Sequence, residues 1–389
     1  MIDRRFFIAG GAASAVTLGF APRLVFAKAA TNKRFVFIIQ RGAADGLGIV
    51  APVGDPAFAA ARGILAADFA GVPTLDSMFA LHPNLKAVGA LYAQKQALFA
   101  HATASPYRDR SHFDGQNVLE TGGAGAYQVK DGWLNRLLGL LPAEQAKAIA
   151  VAITVPMALR GARDVSSYAP SALPQASEDL LQRVAMLYDG DRQLHALWSD
   201  AMSTRALTSD MAAEGGMNGG ANNPRKAAAT GALAAKLLAP ADGARIAMIE
   251  TGGWDTHAQQ RGRLANQLTG LDAMVAALKD GLGPLWAETM VLVATEFGRT
   301  VALNGTGGTD HGTASSAMLL GGGVKGGRVI ADWPGLAPAA LYEGRDLKPT
   351  LPLDAFIGGA VAGHFGLDPA RMMQALFPAT RARGIEGLV

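Results

Sequence analysis

Six short apolar runs, interleaved with stretches of helical periodicity, constrain this chain more than anything else in it. The runs are RFVFIIQ (34–40), QALFAHA (96–102), AKAIAVAITV (146–155), ARIAMIE (244–250), TMVLVATE (289–296) and SAMLLGG (316–322). Their length and uninterrupted apolarity predict strands buried on both faces. Between them, residues 84–94, 177–202 and 262–282 repeat apolar residues at helical spacing. In the last, Leu264, Leu268, Leu271, Met274, Val275 and Leu278 make one face. Strands alternating with helices predict an α/β fold whose central sheet is mostly parallel, with helices on both faces. The glycine- and asparagine-rich stretch 214–226 reads as a flexible loop within one domain spanning 28–389, and there is no internal repeat.

The first 27 residues have a different character. Arg4 and Arg5 precede an apolar, glycine-containing stretch that ends in Val25-Phe26-Ala27. This order predicts an export signal of the twin-arginine type, hence the twin-arginine translocase as a partner during export and the periplasm as destination. The stretch is too short and glycine-rich to span a bilayer comfortably, and no later one predicts a permanent membrane span. The net charge of +3 belongs mostly to this signal, which argues against a nucleic-acid partner. Cysteine is absent, so disulfides, thiolate metal sites and a cysteine nucleophile are excluded.

Five polar clusters stand out from the apolar background: RGAADG (41–46), RSHFDGQ (110–116), ETGGWDTH (250–257), TEFGRT (295–300) and GGTDHG (307–312). Three follow apolar runs, and open α/β sheets bind ligands beyond the carboxyl ends of their strands. Asp255 and His257, two residues apart after a glycine pair, suit one cation, although an exposed turn carries such residues too. Asp310 and His311 lie between glycine turns before a strand. Glu296, at the end of a strongly apolar run, either pairs with Arg299 or serves a site, where Arg299 would suit an anionic substrate. Asp45 is a first metal ligand or a turn-forming Asp-Gly. Ser111 is a helix N-cap or a nucleophile at a helix N-terminus that favours anions. His112, Asp114 and Gln116 add polar groups, His82 and His101 point to the same face, and His195 reads as structural.

The order of these motifs resembles the alkaline phosphatase superfamily. It most closely resembles an exported branch, the domain-of-unknown-function 1501 family, through the ADGL turn, the RSHF segment, the GGWDTH loop, the EFGRT strand end and the DHG loop. The resemblance covers nearly all of the chain after the signal. It implies an alkaline phosphatase-like three-layer sandwich and one or two divalent metal ions: zinc, manganese, magnesium or calcium. Asp45 resembles the early metal-binding aspartate, Ser111 the nucleophile, and Asp255 and His257 the aspartate and histidine of one metal. Glu296 ends the strand that usually presents an Asp-His pair, with Phe297 in the histidine's place, and His311 resembles the final metal-binding histidine. In another registration Asp310 and His311 are themselves that pair. One metal then rests on Asp255, His257 and His311; the other, on Asp45 and Glu296, lacks a histidine unless His112 or Asp310 substitutes.

The implied activity is metal-dependent hydrolysis of phosphate or sulfate-type esters. Ser111 or a water attacks a small anionic substrate while Arg110 or Arg299 neutralises charge. Ala104, where a sulfatase needs its modified residue, disfavours sulfatase chemistry. The alternative is a catalytically inactive envelope binding or assembly protein that keeps the fold and has an envelope protein as partner. A third reading places sugars on Trp133, Trp254 and Trp333.

Overall fold

A computed structural model describes residues 32–143, 145–168, 178–188, 190–208 and 223–389. The expected export signal and residues 214–222 of the expected loop lie outside them. In chain order the strands are β1 (Arg34–Gln40), β2 (Val50–Ala51), β3 (Ala80–Leu81), β4 (Ala97–Ala104), β5 (Ala148–Val151), β6 (Ser166–Ser167), β7 (Ile246–Thr251), β8 (Thr289–Ala294), β9 (Ser315–Leu320), β10 (Arg328–Ile330) and β11 (Leu351–Pro352). The helices are α1 (Gly46–Ile49), α2 (Phe58–Arg62), α3 (Lys86–Ala93), α4 (His112–Thr121), α5 (Trp133–Leu138), α6 (Glu178–Tyr188), α7 (Arg192–Thr208), α8 (Pro224–Leu238), α9 (Gln260–Leu282), α10 (Leu353–Phe365) and α11 (Pro369–Leu376).

Among the described residues, one sheet of nine strands runs β10-β4-β9-β8-β1-β7-β5-β6, with β11 beside β4; β2 and β3 form a separate antiparallel ribbon. Every pairing in the large sheet is parallel except the two made by β9. β1 is central and wholly buried. Its Val36 and Ile38 face a core built with Val88 of α3, Leu233 of α8 and Leu268, Leu271 and Val275 of α9. Its Phe35, Phe37 and Ile39 face a second core with Leu119 of α4, Trp133 of α5, Phe356 of α10 and Leu376 of α11. The three layers follow from the period-two alternation of a strand that has no polar side.

All six expected strands occur, with 146–155 shortened to β5. The single helix expected over 177–202 is two, α6 and α7, broken near Gly190. Residues 224–226, expected in a loop, instead open α8: the Asn223 side chain accepts the Arg225 and Lys226 N–H groups and Pro224 takes the first turn. α8 then lies directly on α9, where a Cβ on Gly231 would come within 2.1 Å of the Met274 carbonyl oxygen.

The reversal of β9 decides where the site forms. Because β9 runs against its neighbours, the segment entering it lies at the edge where β1, β4, β7 and β8 end. Loops from five distant parts of the chain therefore meet there.

Candidate metal centre

Backbone fit brings these loops together. Gly42 (φ +116°) lets the turn after β1 lie against the loop after β7, since a Cβ there would sit 2.6 Å from the Asp255 nitrogen. Gly298 does the same for the loops after β8 and before β9, where a Cβ would lie 1.8 Å from the Ala314 carbonyl oxygen.

Three imidazoles and one carboxylate converge between the loops. His112, first residue of α4, directs Nδ1 to Glu296 Oε1 at 2.9 Å. His311 directs Nδ1 to the Arg110 carbonyl at 2.9 Å, and His257 directs Nδ1 to Asp310 Oδ1 at 3.2 Å. Each partner can only accept, so a neutral ring keeps its proton on Nδ1 and its lone pair on Nε2. The three Nε2 atoms all turn toward Asp255. His112 lies 3.5 Å from Oδ2, while His257 and His311 lie 3.0 and 3.3 Å from Oδ1. His257 Nε2 and His311 Nε2 are themselves 3.0 Å apart. His112 Nε2 is buried with no hydrogen-bond partner.

Lone pairs gathered this closely repel one another unless a proton or a metal cation lies among them. Tetrahedral coordination with bonds of about 2.0–2.1 Å has donor–donor edges of about 3.3 Å, and the observed separations bracket that value. Among the described residues, His112, Asp255 and His311 form one group that could hold a metal ion, their ligand atoms all within 4.8 Å of one another. The outward anchoring of each Nδ1 is the arrangement that fixes ring orientation in metal-binding histidines.

Electrostatics keep the carboxylates charged. Burial opposes ionisation of Asp255, but the hydrogen bond from Arg299 at 2.5 Å and its positive charge outweigh burial and hold the pKa below its ordinary value. Burial also opposes the charge on Glu296, yet donors from His112, Gln116 at 3.0 Å and the Gly42 N–H at 2.8 Å win there too. The bond to Glu296 raises the His112 pKa against the effect of burial, whereas burial lowers that of His311.

Several residues take places other than those the sequence suggested. Asp45 is buried, and its Oδ2 is bound by Arg62 and Gln260 rather than turned to the imidazoles. Glu296 stands behind His112, not among the converging donors. Arg299 is buried and pairs with Asp255 and Thr309, not with Glu296, so its guanidinium is already engaged. Arg110 turns its guanidinium to Asp346 and Glu343 and offers its carbonyl to His311. Asp310 reaches the centre through His257 and Asn304. Ser111 occupies the N-cap position of α4, but its hydroxyl makes no capping hydrogen bond. His82 and His101 lie elsewhere: His82 packs on Phe69, while His101 is buried between Phe79 and Trp333 with Nε2 on the Val50 carbonyl. Trp133 and Trp254 are buried, so neither offers a face to a sugar. His112, named from the sequence only as a possible substitute ligand, stands in the structure beside Asp255 and His311.

The chain is loosely similar to several solved structures. They include Ps i-CgsB in complex with k-i-k-neocarrahexaose (10% identity, TM-score 0.40, covering 89% of this chain and 76% of that one). The C-terminal periplasmic domain of EcEptC from Escherichia coli in complex with Zn matches at 9% identity and TM-score 0.36 over 76% of this chain and 74% of that one. Phosphonate monoester hydrolase of Agrobacterium radiobacter matches at 10% identity and TM-score 0.32, over 77% and 70%. Likenesses this loose assign neither chemistry nor substrate. No curated protein matches the chain. The family is nevertheless plain: its model, described as "Protein of unknown function (DUF1501)", matches residues 32–377, and the chain belongs to that family.

Proposed function

We propose that this chain is a periplasmic metal-dependent hydrolase of anionic esters, its cation held by His112, Asp255 and His311, with His257 on the solvent side. One observation carries the reading: three imidazoles, each anchored outward through Nδ1, aim their Nε2 atoms at one carboxylate. The donor set favours zinc or a similar transition ion, because calcium and magnesium prefer oxygen-rich shells. What an ion held there supplies is Lewis acidity toward an ester oxygen or a water. Arg299 keeps Asp255 ionised, and Glu296 and the Arg110 carbonyl hold two of the rings. Ser111, between Arg110 and His112 and free of capping duty, is the candidate nucleophile. The arginine pair near the amino terminus supports delivery by the twin-arginine route.

Zinc titration by calorimetry tests the metal. Wild type should bind one equivalent and the His311→Ala variant none; absence of stoichiometric binding by wild type sinks the proposal. Ser111→Ala should then slow hydrolysis of 4-nitrophenyl phosphate by the zinc-loaded protein, and unchanged turnover would remove Ser111 from the mechanism.

A second reading has its own support. If His257 joins the other three donors, four protein ligands close a tetrahedron, as structural zinc sites do. The chain would then be an envelope binding or assembly protein without turnover. That reading expects zinc to raise the melting temperature while no anionic ester is hydrolysed.

A further inference from the structure

A cleft of about 520 Å³ opens one residue away from the metal centre. Its walls are apolar, built from Ala57 and Ala61 at α2, Val301 and Leu303 after β8, and Leu336 and Leu341 from the segment before β11. Two polar atoms of its lining, Thr300 Oγ1 and Asp310 Oδ1, already have partners. Thr300 Oγ1 accepts the Asp310 N–H at 3.0 Å and donates to the Ala302 carbonyl at 3.1 Å; Asp310 Oδ1 accepts from Asn304 and His257. Arg345 borders both spaces: it lines the cleft, its side chain is 44% exposed, its Nε pairs with Asp346 at 2.9 Å and its Nη2 donates to the His311 carbonyl at 2.5 Å, which leaves Nη1 for a ligand.

We infer that the substrate is amphipathic, an aryl or short-alkyl ester whose apolar group fills this cleft while its anionic head lies at Arg345 and the imidazole cluster. The volume falls within the range of small-molecule sites, and the apolar wall ends at two charged residues, Asp310 and Arg345, so an anionic head belongs on the Arg345 side. The inference rests on the hydrolase reading for the identity of the reacting head, but the cleft can be tested without turnover.

The probe is 2-naphthalenesulfonate, a stable arene anion, measured by calorimetry with metal-free and zinc-loaded protein. Wild type should bind it, bind it more tightly with zinc, and show no comparable affinity for methanesulfonate. Ala61→Trp fills the cleft and should weaken binding by about tenfold or more. Ala302→Trp, starting from an exposed rim position, should act in the same direction and stands in if Ala61→Trp does not fold. Equal affinity of wild type and the folded tryptophan variants, or equal affinity for methanesulfonate, overturns the inference. Protein that takes zinc but not the arene refutes the cleft and leaves the metal reading standing. Protein that binds the arene in an Ala61-dependent way but takes no zinc does the opposite.

Discussion

Replacing Glu296 with glutamine separates a residue that orients a ligand from one that is a ligand. In the wild type Oε1 accepts three hydrogen bonds, from Gly42 N at 2.8 Å, His112 Nδ1 at 2.9 Å and Gln116 Nε2 at 3.0 Å. Glutamine has the same shape, and its carbonyl oxygen can keep these donors. Its amide then faces Thr295 Oγ1, which lies 2.9 Å from the other carboxylate oxygen. The fold should therefore survive. What is lost is the charge: hydrogen bonds to an ionised acceptor are roughly twice as strong as neutral ones. Outer-shell substitutions of this kind typically cost about 10–100-fold in metal affinity, or about 1.4–2.7 kcal/mol. Competition titration of zinc against a chelator should place Glu296→Gln in that window, with one equivalent still bound. Unchanged affinity would mean that Glu296 does not hold His112 in place. Loss of stoichiometric binding from a folded variant would mean that Glu296 is itself a ligand, as the motif order first suggested.

Three further outcomes follow from buried parts of the fold. Asp45→Asn leaves Arg62 charged and fully buried, which should cost about 3–5 kcal/mol in denaturant unfolding while zinc stoichiometry stays at one; lost zinc binding in the folded variant would restore Asp45 as a ligand. Gly298→Ala forces a methyl to within 1.8 Å of the Ala314 oxygen, so expression of soluble protein with wild-type melting would contradict the loop packing described above. His101 and His364 are both buried, with pKa values lowered from 6.5 to about 4. The unfolded chain therefore binds more protons between those values, and stability is complete above pH 6.5 and falls as pH drops toward 4. The loss is about 3 kcal/mol for each ring, and His364→Gln should remove its share of the slope in urea titrations at pH 7 and pH 4.5.

The parts of the fold that could be read from sequence are those with a short apolar run or a helical period. β1, β7 and β8 are unbroken apolar runs because both their faces are covered, and α9 shows one clean apolar stripe. α10 escaped because it is buried almost all round: LDAFIGGAVAGHF has no polar face to create a period. α8 escaped for a different reason. Its alanines and Gly231 permit close approach to α9 but look featureless as a sequence, and the Asn-Asn-Pro before it resembles a loop as much as a cap.

The candidate site was legible as a set of motifs but not as a set of roles. The five clusters do converge, since each follows a strand end or precedes the reversed β9, and that edge is fixed by topology. Sequence order does not state which way a side chain turns. Glu296 and His112 belong to clusters far apart in the chain, yet their contact, with those from Gly42, Gln116 and Thr295, explains a buried carboxylate at the end of β8 and leaves His112 Nε2 to face Asp255. A pair between Arg299 and Glu296 was one of the two readings open to the sequence, because three residues separate them. In the structure the Gly298 crossing sends Arg299 to Thr309 and Asp255, and the same crossing brings the His311 loop into place. The glycines therefore shape the imidazole cluster as much as the histidines do. They permit the backbone approach that puts three anchored imidazoles around one carboxylate, and that geometry, rather than any one motif, makes metal binding the property to test first.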